Sequence, residues 1–550
     1  MNSQNKNVFC FHTMNKDEIL EELNKHICGA SFINVISQMC LNEIICCSET
    51  GFPDPKVVLT YDEWMLVIGL WLKNIKKEPL KEIESIEIVE EEANILYNLL
   101  DKLHYSYLNE FSSIDYSKVE SLKEIIHNTI NSPVLIQEAI FYGGEGAYDL
   151  QYTSFVEKKY DKDRDWILKN KGVDINKFHP FYVTIKRLLM QKMYEFREDM
   201  KNTHYETKLS ISYPYIIDIK DVVSVDSDYQ RILDLFSFDI EKPSEILING
   251  IEDFNPLVEY PLIKIDDQHL FIPKCTIVAN ALYELPFFWI VKDDEYFRNK
   301  GSDYRGSSTE TITNNLLKRI FPEDNVMKNV KIIHKKDICA EIDVLVTYAD
   351  VAIIFQVKSK RLSLNSRKGD KESIAKDFEQ AIGKAYEQAL VSELKMMDSN
   401  SVIKNNDDDV SVSSISEIIK IGITLDFFPA IEAILRRGLG GDTPFISMSI
   451  FDLDILTRNL TAEQFIDYVK FRVHHRKELY ASNEACYMGF YLKHNGFKAI
   501  DKSLRKSNHD GYNWVAISED YACEIDKKMS HDLLCEYMPE TYEMIYKELS

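Results

Sequence analysis

Glu341 and Asp343 stand two residues apart near the middle of the chain, and Gln356, Lys358 and Lys360 recur at the same interval shortly afterwards. In an extended strand alternate side chains share a face, so each set points one way, with Glu341 and Asp343 roughly 6–7 Å apart. Carboxylate and amide oxygens are hard ligands of the kind that bind Mg²⁺ or Mn²⁺. An ammonium group beside them can orient a water molecule or offset a developing negative charge. Together these are the parts required for metal-assisted hydrolysis of a phosphodiester.

The apolar residues around them say how they are positioned. Runs at 344–348 and 351–355 are rich in Val and Ile and are separated by Ala349-Asp350. This predicts two antiparallel strands joined by a tight turn. The polar residues sit at the outer ends, so closing the hairpin brings the start of one strand beside the end of the other. A Gly/Ser-rich loop is expected at 301–308. A helix follows over 309–321, capped by Ser308, stopped at Pro322 and apolar along Ile312, Leu316, Leu317 and Ile320. Glu310 falls in its first turn, where a carboxylate also suits the helix dipole. After the hairpin, Ile374, Phe378, Ala381, Ile382, Ala385 and Ala389 make an apolar stripe at helical spacing over 374–390, with Lys376, Gln380 and Lys384 on a polar face. Residues 417–428 and 445–448 read as further strands of a mixed sheet. The segment 398–416, rich in Asn, Asp and Ser, reads as an exposed or disordered loop.

The Glu-Ile-Asp opening at 341–343 and the Gln-x-Lys close at 356–358 resemble the PD-(D/E)XK (restriction-endonuclease-like) nuclease superfamily. The variant is the Mrr-like or NERD-like one, in which glutamine replaces the second acidic residue. The resemblance spans 301–390. It implies that Asp343 binds a divalent metal, that Gln356 and the backbone carbonyl of Val357 add ligands, and that Lys358 is catalytic. Glu310 matches a helical glutamate that serves as a further ligand in relatives, and Glu341 would offset the charge lost at Gln356. Gln380 and Gln388 are similar to the glutamines of the helix that follows in Mrr-like relatives. The function implied is a Mg²⁺- or Mn²⁺-dependent endonuclease acting on DNA, plausibly in defence against phage or foreign DNA. Two plainer readings stay open: solvated ends of an ordinary hairpin, or a catalytically inactive scaffold that binds nucleic acid or protein.

Charge sharpens the choice of partner. The chain of 550 residues carries a formal net charge of −24, which argues against general nucleic-acid binding. Residues 301–390 nevertheless hold 15 Lys+Arg against 13 Asp+Glu. Within 356–371, Lys358, Lys360, Arg361, Arg367, Lys368 and Lys371 face only Asp370. A phosphate backbone would be drawn here and repelled elsewhere. Lys360, Arg361, Arg367, Lys368, Lys371 and Lys376 are the expected nucleic-acid contacts. The acidic helical regions offer a surface for a partner protein, and a homo-oligomer, by default a symmetric dimer, is expected of an enzyme that cuts duplexes.

The rest of the chain is organised around this segment. Its length calls for several cores, and 45% hydrophobic with 28% charged residues is the composition of a folded α+β or α/β multidomain protein. Four segments are expected: a helical domain at 1–131, a mixed α/β region at 132–300, a nuclease-like domain at 301–455 with a mixed sheet flanked by helices, and a helical tail at 456–550. In the first, Asn15 and Glu18 form a capping box, 61–74 and 82–108 read as helices, and Glu87, Glu90, Glu91 and Glu92 as a solvated face; 117–129 reads as another helix. The nine-residue apolar run at 64–72 is too short to cross a bilayer and reads as a buried helix. No signal peptide is read at the N-terminus, and the ten cysteines contain no CxxC pair, so a reduced, cytoplasmic setting without membrane contact is expected. Gly143-Gly144-Glu145-Gly146 lacks the Lys-Ser/Thr of a P-loop and reads as a turn between 136–141 and 148–156. Tyr142, Tyr148, Tyr152, Phe155, Tyr160 and Trp166, interleaved with Lys158, Lys159, Lys162 and Arg164, can stack bases, but core packing is the favoured reading. His474 and His475 lack the HExxH spacing and read as surface residues, and the loop at 436–441 as a basic, glycine-rich turn. No Walker, kinase or G-x-S-x-G signature is present.

Overall fold

The computed structural model describes residues 14–50, 57–78, 83, 85–108, 140–143, 145–203, 209–241, 246–428, 444–476, 478–498 and 515–546. The helix expected at 117–129, the turn at Gly144 and the loop at 436–441 lie outside them. The chain is mixed α/β and divides into two compact units. One comprises Met1–Gly144, Ile185–Asp226 and Leu233–Val278; the other comprises Glu145–Thr184, Ser227–Ile232 and Ala279–Ser550. These units are discontinuous, so the four consecutive segments expected from sequence do not coincide with them. Segments 132–300 are shared out between the two, and the C-terminal helices join the same unit as residues 301–455.

The first unit packs helices α1 (Lys16–His26), α2 (Ile33–Thr50), α3 (Tyr61–Asn74) and α4 (Ile86–Leu108). Local chemistry sets their ends. Asn15 accepts from the Glu18 N–H while Glu18 accepts from the Asn15 N–H, and Thr60 and Glu63 repeat the arrangement before α3. The run at 64–72 is the centre of α3 and is buried throughout, with Trp64 and Trp71 almost fully covered. It is a core helix, and among the described residues no helix is long and apolar enough to cross a membrane. Glu92 departs from the solvated face expected of it: it is buried and pairs with His26 Nδ1 at 2.7 Å. A small sheet completes the unit, with β1 (Ile216–Asp218), β2 (Ser237–Asp239), β3 (Leu262–Lys264) and β4 (His269–Phe271) in the order β1-β4-β3-β2.

The second unit is built on a seven-stranded mixed sheet. Its strands are β5 (Val326–His334), β6 (Asp337–Tyr348), β7 (Val351–Lys358), β8 (Ser401–Asn405), β9 (Asp408–Asp409), β10 (Glu417–Thr424) and β11 (Phe445–Ser449), in the order β11-β10-β7-β6-β5-β8-β9. The β6–β7 hairpin turns at Ala349-Asp350 as expected, with Ala349 at φ 53°. β7 then runs parallel to β10, and β10 parallel to β11; between β7 and β10 the chain crosses over through helices, as parallel pairing requires. Segment 398–416 is not a disordered loop: β8 and β9 form a hairpin on the sheet edge, turning through Asn406 at φ 54°.

Two helical elements cover opposite faces of this sheet. Helix α5 (Ser302–Leu317) lies on one face, where Lys328 of β5 donates to Thr311 at 3.0 Å. On the other, α6 (Lys371–Phe378) continues through a π-turn at Glu379–Gly383 into α7 (Lys384–Met396). There Lys420 of β10 donates to Glu393 of α7 at 2.7 Å. The start of α5 corrects the expected boundary. Residues 302–308 are helical, Ser308 is buried inside the helix rather than capping it, and Glu310 sits in the helix middle. The helix-dipole explanation of Glu310 therefore falls away.

Candidate functional site

The hairpin strands part at one end, and the candidate residues sit in the fork. Between β6 and β7 the paired register runs from Tyr348↔Val351 to Val344↔Phe355 and stops. Beyond it β6 remains paired to β5, and β7 remains paired to β10 as far as Lys358. Each strand is thus held from its outer side while the inner side opens. Backbone groups freed this way need partners, and side chains supply them. The Val357 N–H donates to Asp343 Oδ2 at 2.7 Å. The Gln356 amide nitrogen donates to the Glu341 carbonyl at 2.9 Å.

Helix α7 holds the Gln-x-Lys tip from above. Lys358 Nζ donates to Gln388 Oε1 at 2.5 Å and folds back to the Val357 carbonyl at 3.1 Å. Gln356, almost fully buried, lies 3.5 Å from the Ser392 hydroxyl. Gln388 and Ser392 are one helical turn apart on α7 and so face the same way. Ser392 has no signal in the sequence, since only its place on the helix selects it. Thr424 was likewise not foreseen. It pairs with Lys358 in the β7–β10 register, is 1% exposed, and its hydroxyl has no hydrogen-bond partner.

The charges in the fork work against one another. Burial raises the pKa of Asp343; the Val357 N–H and Lys358 oppose this, while Glu341 adds to it. Burial also raises Glu310, and the Asp343 and Glu341 carboxylates push it further, only partly offset by Lys328. Lys358 is lowered by burial, against the pull of Asp343 and Glu310 and with the help of Lys384. Glu310 and Asp343 come from different elements, α5 and β6, and the Asp343 carboxylate still acts on Glu310. Glu341 is exposed.

These donors fit a small hard cation in part. Two carboxylates, the Val357 carbonyl and the Gln356 amide oxygen are all oxygen donors, and Mg²⁺ is commonly held by one or two carboxylates with water completing its shell. Among the described residues no group of three His, Cys, Asp or Glu side chains gathers as ligands. Glu341 is thus not joined to Glu310 and Asp343 as a third.

The basic segment divides. Lys368, Lys371 and Lys376 are exposed, as a phosphate contact requires. Lys360 is half-buried and paired with Asp377 at 2.9 Å. Arg367 is partly exposed and lies 3.4 Å from Glu284. Arg361 corrects its assignment: it is buried and ion-paired to Glu284, its guanidinium stacked against Phe287 and Phe288, so it is not the exposed contact for a nucleic-acid backbone expected of it. Tyr152, Phe155 and Tyr160 are core residues, on helix Asp149–Tyr160. His475 and Arg476 are also buried, contrary to the surface position expected for the paired histidines; His474 alone is exposed.

Comparison of the chain with family models, with curated proteins and with solved structures finds no match.

Proposed function

We propose that this chain is a divalent-metal-dependent phosphodiesterase of the PD-(D/E)XK type, acting on DNA. The observation that carries the reading is the fork. Asp343 and the Gln-x-Lys tip lie on adjoining strand ends, Asp343 bonded to the backbone of Val357 and its charge felt at Glu310. Carboxylates held together against their repulsion are a common mark of a site built for a cation or a proton. Asp343, Glu310 and the Val357 carbonyl would hold Mg²⁺ or Mn²⁺, with Gln356 Oε1 as a further donor. The metal, when bound, supplies charge neutralisation and an activated water. Lys358, kept in place by Gln388 and with its ammonium destabilised by burial, offers a donor to a phosphoryl oxygen on which charge develops. Lys368, Lys371 and Lys376 give the substrate backbone an exposed cationic margin. A role in defence against foreign DNA belongs to the same reading by resemblance alone.

The test is cleavage of plasmid DNA with Mg²⁺ by wild type, Asp343→Ala and Lys358→Ala. Cleavage by wild type alone is the expected result, and equal activity in all three removes this site from the reaction. One observation favours a second reading, a nuclease-like scaffold: only two carboxylates converge, and the Gln356 amide is already committed to the Glu341 carbonyl. A scaffold would show no Mg²⁺- or Mn²⁺-linked rise in melting temperature that Asp343→Ala abolishes.

A further inference from the structure

A second charged cluster lies beyond the end of β7, entirely within the second unit. Lys159, Glu284, Arg305, Arg361 and Asp426 are all buried there. Lys159 Nζ donates to Asp426 Oδ1 at 3.2 Å and to the Tyr283 carbonyl at 3.3 Å, and stands 3.7 Å from Glu284. Arg305 binds Asp426 through Nη2 and donates from Nε to the Ser359 carbonyl at 2.8 Å. Arg361 binds Glu284 through its own Nη2.

The cluster is not balanced. Three buried cations face Glu284 and Asp426, with Asp163 a third buried carboxylate within reach of the Arg305 charge, and Arg367 at the margin adds a fourth positive charge beside Glu284. Uncompensated buried charge is costly, and a buried donor without an acceptor adds to the cost. Two such donors are present among the described residues of the cluster: Nη1 of Arg305 and Nη1 of Arg361, each buried and without a hydrogen-bond partner there, on side chains 6% and 8% exposed. Both guanidinium groups pack against the ring of Phe287, at 4.4 and 4.8 Å from its centroid. Two unpartnered guanidinium donors beside surplus positive charge are what an oxyanion with several acceptor oxygens would satisfy.

We propose that Arg305 and Arg361 form an internal site for a phosphate-class oxyanion. The Arg305 Nε bond to the Ser359 carbonyl places this site directly after Lys358, so a terminal phosphate on a nucleic acid held at the fork is one source of the ligand. Free inorganic phosphate is the other. The site itself does not depend on phosphodiester cleavage.

The experiment uses the full chain without divalent metal. Inorganic phosphate is titrated calorimetrically against wild type at constant ionic strength, with chloride as the control. Saturable binding of one phosphate is expected. Arg305→Lys and Arg361→Lys keep the positive charge but lose the Nη1 donor, and each is expected to weaken binding about tenfold or more. Hydrogen exchange of wild type, with and without phosphate, locates the site independently should either variant fail to fold; slowed exchange is expected around residues 305 and 359–361. Oligonucleotides bearing a 5′-phosphate, a 3′-phosphate or neither then identify the source. Preference for a phosphorylated end assigns the ligand to nucleic acid, and equal binding of all three beside saturable inorganic phosphate assigns it to the free anion. No saturable binding by wild type, unchanged binding in folded variants, or protection confined to other segments would overturn the proposal. Because no metal is added, loss of the cleavage reading leaves these outcomes intact.

Discussion

Two groups of wholly or partly buried carboxylates in the same unit behave in opposite ways. In the fork, Asp343 and Glu310 are raised above the ordinary carboxylate range, by burial and by the negative charge that each meets. In the cluster after β7, burial acts in the same direction on Glu284 and Asp426, yet both are held below that range. Arg361 and Lys159 prevail at Glu284, and Arg305, Lys159 and Arg361 at Asp426. Burial is common to both places, so the sign of the neighbours decides. The cluster has its cations built in, whereas the fork, on the proposed reading, takes its cation from solution. A fold tolerates such a deficit where the deficit serves a ligand.

The largest effect that would break this contrast is on reaction rate. Asp343→Ala is expected to lower Mg²⁺-dependent cleavage of plasmid DNA by about a hundredfold or more, and Lys358→Ala by a similar factor. The equivalent excision in the cluster should act on stability instead. Asp426→Ala leaves Arg305 and Lys159 buried beside an empty position, a loss of about 3–5 kcal/mol, read as a lower denaturant midpoint. If Asp426→Ala cost nothing, the view that Arg305 and Lys159 depend on Asp426 for their buried positions would fail.

A subtler test compares the two groups by pH. Asp343 and Glu310 have raised pKa values in the folded chain, so the folded state binds more protons than the unfolded one in the window above the ordinary carboxylate values. Stability from these groups is present below that window and lost as pH rises through the raised values. Asp426 and Glu284 have depressed values: their contribution is present above the ordinary values and lost as pH falls towards the folded ones. Asp343→Asn should therefore melt higher than metal-free wild type, by a margin that grows upward from about pH 4. Adding Mg²⁺ should close the gap by stabilising wild type alone. A thermal melting series at several pH values checks both signs, and a lower melting point for Asp343→Asn throughout would mean that Asp343 is a structural acceptor for Val357 and nothing more.

What was legible in the sequence follows the range of the interactions. The hairpin could be read because its turn and its apolar runs are local, and the helix cap at Asn15 is contained in four residues. The start of α5 was missed because Gly301, Ser302 and Gly306 through Ser308 look like a loop. In the helix the threonine hydroxyls turn back on the chain instead: Thr309 donates to the Arg305 carbonyl at 2.7 Å, Thr311 to Ser307 at 2.8 Å and Thr313 to Thr309 at 2.9 Å. Tertiary packing outweighs the weak local preference. Arg361 was misread for the opposite reason. Its neighbours in sequence are basic and polar, and nothing local announces Glu284, its distant partner in the fold. The segment at 398–416 was judged on composition, which does not register that β5 offers it an edge to pair with.

The smallest expected effect concerns the supports of the Gln-x-Lys tip. Gln388 takes one hydrogen bond from Lys358, and Ser392 stands at the limit of one from Gln356. Removing a single such bond costs about 1 kcal/mol. Gln388→Ala should thus lower the cleavage rate by about tenfold or less while leaving substrate affinity unchanged, because Lys358 loses its orientation and not its charge. Ser392→Ala should do less still, since Gln356 keeps the Glu341 carbonyl. Gln388→Glu separates orientation from electrostatics. It preserves the acceptor but adds a carboxylate that favours the charged form of Lys358, so the alkaline limb of the rate profile should move to higher pH. An unmoved limb would mean that proton loss from Lys358 does not set it, and the contrast between a fork rich in carboxylates and a cluster rich in cations would then rest on the carboxylates alone.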